Sequence, residues 1–130
     1  MALILIVDDD AAIRDSIAML LEIDGHEAIH AENGRQCELT LGQWLPDLVI
    51  LDIFMPERDG IETLRALRQN HPHLKILAIS GGGDSKLERS LHFAREFGAD
   101  EVLAKPFADA DLRATVRALL ERGRDIVGSA

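Results

Sequence analysis

The sequence has little cysteine, no excess of positive charge and no long apolar run. Its one cysteine, Cys37, cannot form a disulfide within the chain, which fits a cytoplasmic protein. With 14 Lys and Arg against 23 Asp and Glu, the formal net charge is -9, so we expect no direct binding of nucleic acid. The opening "MALILIV" lacks the basic start and cleavage site of a signal peptide, and no stretch is long enough to span a bilayer. The acidic balance instead favours a cationic partner or a bound metal.

The composition is typical of a globular protein, with 47% hydrophobic and 28% charged residues. A chain of 130 residues is long enough to close one sizeable core. The sequence contains no internal repeat, low-complexity stretch or linker. We therefore expect a single domain over residues 1–123, followed by a C-terminal tail over residues 124–130.

Short apolar runs recur along the chain and predict β-strands. Several are nearly unbroken, which is typical of strands covered on both faces. The runs are "LILIV" (Leu3–Val7), "EAIHA" (Glu27–Ala31), "DLVIL" (Asp47–Leu51), "KILAI" (Lys75–Ile79) and "EVLA" (Glu101–Ala104).

Between these runs, apolar residues recur at the spacing of amphipathic helices. The second pattern predicts that Cys37 and Trp44 both lie in the core. The predicted helices carry Ile13, Ile17, Leu20 and Leu21, stopping at Asp24–Gly25; Cys37, Leu41, Trp44 and Leu45, ended by Pro46; Ile61, Leu64 and Leu67, closing at Asn70–Pro72; Leu87, Leu91 and Ala94, stopping at Gly98; and Leu112, Val116, Leu119 and Leu120, fraying at Gly123.

Strand and helix alternate throughout, which predicts an α/β protein with a doubly wound parallel sheet. The five-stranded, flavodoxin-like order 2-1-3-4-5 is the common arrangement at this size. In such folds ligands bind outside the carboxyl ends of the strands, where the strand order reverses.

Polar residues follow four of the predicted strands. Asp8 and Asp9 follow the first, Asp52 the third, Ser80 the fourth and Lys105 the fifth. These strands are consecutive neighbours in the predicted order, so their ends form one pocket. Two unit charges ~4 Å apart interact by about 4 kcal/mol at an effective dielectric constant of about 20. Converging carboxylates therefore need a proton or a cation.

Oxygen ligands of this kind are preferred by Mg²⁺, which would be held by Asp8, Asp9 and Asp52. A metal beside a carboxylate, a lysine and a hydroxyl predicts phosphoryl transfer. Asp52, alone at the end of the central strand, is the best nucleophile. Lys105 would neutralise the phosphoryl oxygens and Ser80 would donate a hydrogen bond to one of them. Asp10 is better explained as the cap of the first helix than as a ligand.

Four motifs in this order and spacing resemble the receiver domain of two-component response regulators. They are "LIVDDD", "PDLVILDIFMPERDGIE", "AISG" and "GADEVLAKPF", and together they cover nearly the whole chain. The resemblance implies a cytoplasmic phosphoprotein of phosphorelay signal transduction. Such a domain catalyses only its own phosphorylation and dephosphorylation and is not otherwise an enzyme.

The resemblance also implies roles for individual residues and partners. Asp52 would accept the phosphoryl group in a Mg²⁺-dependent reaction, and the backbone carbonyl of Phe54 would complete the protein ligands that Asp8 and Asp9 begin. Lys105 would pair with the phosphoryl group. The resemblance also implies a cis peptide bond between Lys105 and Pro106. The donor would be a histidine kinase, a phosphotransfer protein or a small molecule such as acetyl phosphate. The output would reach an unidentified effector, with a homodimer through helix 4, strand 5 and helix 5 as one route.

One position departs from the family pattern. Three residues before the lysine the family usually has Tyr or Phe, which moves inward with the switch hydroxyl of Ser80, whereas this chain has Val102. The aromatic part of the usual switch is therefore absent. A receiver-like interaction module that is not phosphorylated is the alternative that this departure leaves open.

Two further classes fit the sequence less well. A flavin-binding module needs phosphate-binding donors after the first strand, where "DDDAA" would repel a phosphate. A phosphatase with an aspartate nucleophile would need a second carboxylate two residues after Asp52, at the position that Phe54 occupies.

Overall fold

Strands and helices alternate along the chain, as the sequence predicts. The computed structural model describes residues 1–53, 59–81 and 92–129, with the backbone alone for residue 59 and residues 123–129. The strands are β1 (Leu3–Val7), β2 (Glu27–Ala31), β3 (Leu48–Asp52), β4 (Lys75–Ser80) and β5 (Glu101–Ala104). The helices are α1 (Ala11–Ile23), α2 (Gly34–Leu41), α3 (Asp59–Asn70), α4 (described over residues 92–96) and α5 (Asp109–Ser129).

The strands form one parallel sheet in the order β2-β1-β3-β4-β5. This confirms the predicted doubly wound arrangement. The chain begins in β1, crosses to the edge strand β2, and then returns past β1 to build the other side. The order reverses beside β1, so the carboxyl ends of β1 and β3 border the crevice in which such sheets bind ligands.

The sheet is buried on both faces, which explains the unbroken apolar runs of its central strands. Alternate residues of each strand point to opposite faces. In β1, Leu5 and Val7 belong to one cluster of buried residues, whereas Ile4 and Ile6 belong to the other. The first cluster also contains Cys37, Leu64, Leu67 and Ala94, and the second Ile17, Leu21, Leu112, Val116 and Leu119.

Several helices begin and end close to where the sequence predicts. Asp10 caps α1, since its Oδ1 accepts hydrogen bonds from the Ala12 amide at 2.9 Å and the Ile13 amide at 3.4 Å. Gly25 follows α1 with a φ of 84°, and Gly98 follows α4 with a φ of 111°. Both values lie in the left-handed region that glycine adopts without a steric cost. The peptide bond between Lys105 and Pro106 is cis, as the family resemblance implies.

The predicted second helix is too long. It ends at Leu41, and Trp44 and Leu45 are 53% and 89% exposed, so Trp44 is not a core residue. The chain must leave the helix early because Asp47 is held beside β1, where its amide donates to the Leu3 carbonyl at 2.7 Å. Gly42 is the C-cap residue at which α2 ends. Cys37 is buried as predicted, and burial raises the pKa of its thiol to about 12.

The boundaries of three other elements differ from the sequence prediction. Strand β3 begins one residue later than predicted and includes Asp52, and β4 includes Ser80. The predicted fraying at Gly123 is wrong, because α5 continues to Ser129; a glycine inside a helix costs only about 1 kcal/mol relative to alanine. The division between a domain and a tail at residue 123 stays a prediction. In the fourth helix, Leu87 and Leu91 lie outside the described residues, and Ala94 is buried.

Across the described ranges, no helix has the length and apolar character needed to cross a membrane.

The burial of α3 gives a stability prediction. Leu64 is fully buried in the first cluster, so Leu64→Ala should lower the free energy of unfolding by about 2–5 kcal/mol. Leu39 is 65% exposed on α2, and Leu39→Ala should change it by less than about 0.5 kcal/mol. Urea unfolding followed by circular dichroism measures both. Equal losses in the two variants would contradict this description of the core.

Candidate functional site

The polar residues predicted from the strand ends do meet at one edge of the sheet. Asp8 follows β1, Asp52 ends β3, Ser80 ends β4 and Lys105 follows β5. Asp8, Asp52 and Ser80 are buried, although each is polar or charged. Burial of such groups is costly unless they are paired or hydrogen-bonded, so the contacts that they make decide what the site can do.

Asp8, Asp9 and Asp52 form an acidic cluster. One carboxylate oxygen from each residue lies within 4.8 Å of the others. Asp8 and Asp52 are buried and Asp9 is exposed, so the cluster opens to solvent on the side of Asp9. A set of three carboxylates at this separation suits a hard divalent cation, which binds oxygen ligands and retains water on its open side.

Lys105 is the cation that faces this cluster. Its Nζ lies 3.3 Å from Asp8 Oδ2 and 3.2 Å from Asp52 Oδ2. The backbone amide of Lys105 donates to the Ser80 carbonyl at 2.8 Å, which extends the β4–β5 pairing and fixes where the lysine begins. Gly81 lies against the lysine stem, and a Cβ there would come within 3.2 Å of the Lys105 Cβ. A side chain at this position would therefore require the lysine stem to shift slightly.

Burial and repulsion act together on Asp8. Burial raises the pKa of its carboxyl, and the negative charge of Asp52 raises it further, whereas the hydrogen bond from the Asp10 amide and the charge of Lys105 oppose both effects. For Lys105 burial lowers the pKa, but the charges of Asp52 and Asp8 outweigh it, and the net shift is upward. Lys105 therefore stays protonated and neutralises part of the acidic cluster.

Ser80 contributes a buried hydroxyl to the same edge. Its side chain is fully buried, and its Oγ has no hydrogen-bond partner among the residues that the structure describes. Unsatisfied buried hydroxyls are uncommon in folded proteins. A hydroxyl in this state would be satisfied by an acceptor that binds at this edge of the sheet.

Of the two remaining residues that the sequence analysis singled out, the structure describes Val102 but not Phe54. Phe54, whose carbonyl the family resemblance gives as a metal ligand, lies outside the described residues. Val102 is partly buried and packs against the first apolar cluster. Its amide donates to Glu101 Oε1 at 3.2 Å.

The sequence analysis missed Arg14 and Glu101. The Nη1 of Arg14 donates to the backbone carbonyl of Asp8 at 2.6 Å. Glu101, at the start of β5, pairs with Arg95 of α4 and Arg122 of α5. The only sequence signal for Arg14 is that it is the first basic residue after the acids of β1. No pattern connects Glu101 with its arginines, because their contacts depend on how the helices pack.

This fold and this arrangement of strand ends define a known class of signalling domain. Residues 4–117 match the response regulator receiver domain, and the chain belongs to that family. The family assignment made from the sequence motifs is therefore confirmed.

Individual relatives agree with this assignment. The chain is 43% identical over 119 residues to the transcriptional regulatory protein CpxR of Escherichia coli K12, covering 92% of this chain and 49% of CpxR. It is 38% identical over 123 residues to the phosphate regulon transcriptional regulatory protein PhoB of Pseudomonas aeruginosa, covering 92% of this chain and 52% of PhoB. The chain thus spans about half the length of these curated relatives.

Solved structures show the same fold. The receiver domain of NtrX from Brucella abortus matches with a TM-score of 0.83 at 32% identity, covering 91% of this chain and 98% of that one. A CheY-like receiver domain protein from Methanospirillum hungatei matches with a TM-score of 0.86 at 30% identity, covering 96% and 98%.

The contacts of Asp8 predict opposite effects for two substitutions. Asp52→Asn should lower the pKa of Asp8, because it removes the repulsion and leaves Asp8 as the carboxylate partner of Lys105. Lys105→Met should raise that pKa further, because the compensating cation is lost. Carbon-detected NMR titration of the Asp8 carboxyl in metal-free buffer measures both shifts. Shifts in the same direction would contradict the proposed balance of charges.

The raised pKa also has a defined effect on stability. Because the folded pKa of Asp8 exceeds the unfolded one, this residue lowers the stability of the metal-free protein as pH rises from the unfolded value through the folded value. Below both values its contribution vanishes.

Proposed function

We propose that this receiver domain accepts a phosphoryl group on Asp52 from a histidine kinase or a phosphotransfer protein. The observation that carries the proposal is the contact of Lys105 with both Asp8 and Asp52 beside the exposed Asp9. The buried carboxylate of Asp52 has the lysine at 3.2 Å and two further carboxylates within 4.8 Å. This arrangement suits a reaction in which a negatively charged phosphoryl group and a metal cation bind together. Small phosphodonors such as acetyl phosphate would serve as well.

In the proposed reaction, a carboxylate oxygen of Asp52 attacks phosphorus in line with the leaving group. A bond forms between that oxygen and phosphorus, and the bond from phosphorus to the donor breaks. The electron pair of the broken bond leaves with the donor: a histidine donor takes a proton from solvent and leaves as neutral imidazole, whereas acetyl phosphate leaves as acetate and needs no proton. Lys105 neutralises the charge on the phosphoryl oxygens, and the Ser80 hydroxyl donates a hydrogen bond to one of them.

The acidic cluster fits Mg²⁺ by its donor chemistry. Asp8, Asp9 and Asp52 offer only carboxylate oxygens, and Asp9 provides an open side for water. We propose that these side chains and the backbone carbonyl of Phe54 hold the ion. When bound, Mg²⁺ supplies positive charge to the phosphoryl oxygens in the transition state.

A phosphatase and an unphosphorylated interaction module remain the competing functions. The phosphatase is disfavoured because Phe54 occupies the position of its acid. The interaction module draws its support from Val102, which replaces the usual aromatic residue. It has no need of the acidic cluster or of the contacts that Lys105 makes with two carboxylates, and the phosphorylation test separates it from a phosphoacceptor.

Incubation with acetyl phosphate and Mg²⁺ should add one phosphoryl group to the wild-type chain, read by intact mass. Omission of Mg²⁺ should greatly reduce the adduct, and Asp52→Asn should abolish it, because that substitution removes the attacking oxygen. Asp111→Asn, at an exposed position of α5, is the matched control and should be phosphorylated like the wild type. Folded wild-type protein that forms no adduct with acetyl phosphate or with candidate histidine kinases would overturn the proposal.

We also propose that phosphorylation promotes a homodimer through the face formed by α4, β5 and α5. Glu101 at the centre of this face contacts Arg95 at 2.8 Å and Arg122 at 3.4 Å. Burial alone would raise the pKa of Glu101, but hydrogen bonds from the Val102 amide and from both arginines lower it, so the acid stays ionised. The arginine side chains are 57% and 49% exposed, so they can exchange partners with a second copy of the chain. This charge pattern is self-complementary, as a two-fold interface requires.

Light scattering after size exclusion should therefore show a higher mass for the phosphorylated chain. Arg122→Glu should prevent that increase, because it places like charges beside Glu101. Arg35→Glu, an equal charge change at an exposed position of α2, should leave it intact. A phosphorylated wild type that stays monomeric, or an Arg122→Glu variant that dimerises normally, would exclude this interface.

A further inference from the structure

Arg14 makes a contact that the proposed reaction does not use. It lies in the first turn of α1, and its Nη1 donates to the backbone carbonyl of Asp8 at 2.6 Å. Its Nε is buried and has no hydrogen-bond partner in the described part of the chain. A buried donor without a partner is uncommon and calls for an explanation. The guanidinium is thus aimed at the Asp8 carbonyl even though one of its own donors stays unsatisfied.

The other polar groups of Asp8 are already held. Its amide donates to the Ala31 carbonyl at 3.1 Å, its Oδ1 accepts from the Asp10 amide at 2.9 Å, and its Oδ2 accepts from Lys105 at 3.3 Å. The Arg14 contact completes this set by holding the carbonyl. That carbonyl belongs to the peptide group that joins Asp8 to Asp9, so Arg14 fixes the orientation of that peptide plane.

Asp9 depends on that plane more than its neighbours do. Its side chain is exposed and accepts no hydrogen bond from the described residues. Lys105 holds the carboxylates of Asp8 and Asp52, whereas nothing in the described structure holds the carboxylate of Asp9 directly. Among the described residues, only the backbone and the side-chain torsions of Asp9 itself direct this third carboxylate toward the other two.

We propose that Arg14 is a positioning residue for the metal site: by holding the Asp8 carbonyl, it orients the Asp8–Asp9 peptide so that the carboxylate of Asp9 faces the cation. The inference rests on the proposed function, because it assumes that the acidic cluster holds Mg²⁺. Residues that orient metal ligands typically change metal affinity by 10–100-fold when they are replaced.

Charge and positioning predict opposite signs for the loss of Arg14. As a positive charge beside the acidic cluster, the guanidinium repels Mg²⁺, so its removal would strengthen Mg²⁺ binding if charge alone mattered. As a positioning group, it keeps Asp9 in place, so its removal weakens Mg²⁺ binding. The sign of the change therefore separates the two roles.

Isothermal titration of Mg²⁺ into the whole chain tests this proposal. We expect Arg14→Ala to bind Mg²⁺ about tenfold more weakly, which corresponds to about 1.4 kcal/mol. Arg14→Lys keeps the charge but lacks the planar guanidinium, and its affinity should lie between those of the wild type and Arg14→Ala. Arg35→Ala, which removes an equal charge from an exposed position on α2, should match the wild type.

Phosphorylation by acetyl phosphate provides a second readout. At limiting Mg²⁺, Arg14→Ala should be phosphorylated more slowly than the wild type, and saturating Mg²⁺ should restore the rate, since Arg14 does not touch the phosphoryl group. A rate deficit that persists at saturating Mg²⁺ would overturn a role confined to the metal.

The remaining outcomes are equally decisive. Unchanged or tighter Mg²⁺ binding by folded Arg14→Ala overturns the inference and leaves the proposed function standing. If circular dichroism shows that Arg14→Ala is unfolded, Arg14→Met decides, because it keeps an extended apolar stem but has no donor for the Asp8 carbonyl, and wild-type affinity in that variant overturns the inference. A wild-type chain that binds no Mg²⁺ overturns both the inference and the proposed metal site.

Discussion

The contact of one lysine with two buried carboxylates is the interaction on which the site depends. Asp8 and Asp52 lie within 4.8 Å of each other at the end of adjacent strands, where burial strengthens their repulsion. Lys105 reaches both from the end of β5, which is separated from β1 by the two strands β3 and β4. Its charge compensates for only part of the acidic cluster, because Asp9 adds a third carboxylate. The remaining negative charge favours a bound cation at this site.

The parallel sheet makes this convergence possible. In a doubly wound sheet every strand ends at the same edge, so residues that are up to 97 positions apart, as Asp8 and Lys105 are, can lie side by side. The apolar strands are buried on both faces and hold their ends in register. The site can therefore carry repulsion that a surface loop would relieve by moving. The free energy of packing in the core therefore offsets the repulsion between the carboxylates at the edge of the sheet.

The sequence predicts the fold well because the fold follows from local periodicity and from a small set of allowed topologies. The prediction fails at Trp44, which matches a helical spacing but is exposed. The helix has to end before it because the chain already pairs with Leu3 at Asp47, just before β3. Asp8, Asp52 and Lys105 could be predicted because they lie at the ends of strands or directly after them. Arg14 could not, because its contact runs from a helix side chain to a backbone carbonyl, and no spacing of residue types encodes that geometry.

A phosphoryl group at this site would act without the aromatic residue that the family usually has at the position of Val102. A ligand shifts an equilibrium only by its differential interaction with the two states. A hydrogen bond from the Ser80 hydroxyl to a charged phosphoryl oxygen would contribute about 1.5–3 kcal/mol, whereas moving a population from 1% to 99% requires about 5.5 kcal/mol. With Val102 packed against the apolar cluster, no aromatic side chain adds to that difference at this position. The remainder would come from new contacts of Lys105 with the phosphoryl group, from a partner that binds the shifted state, or from both.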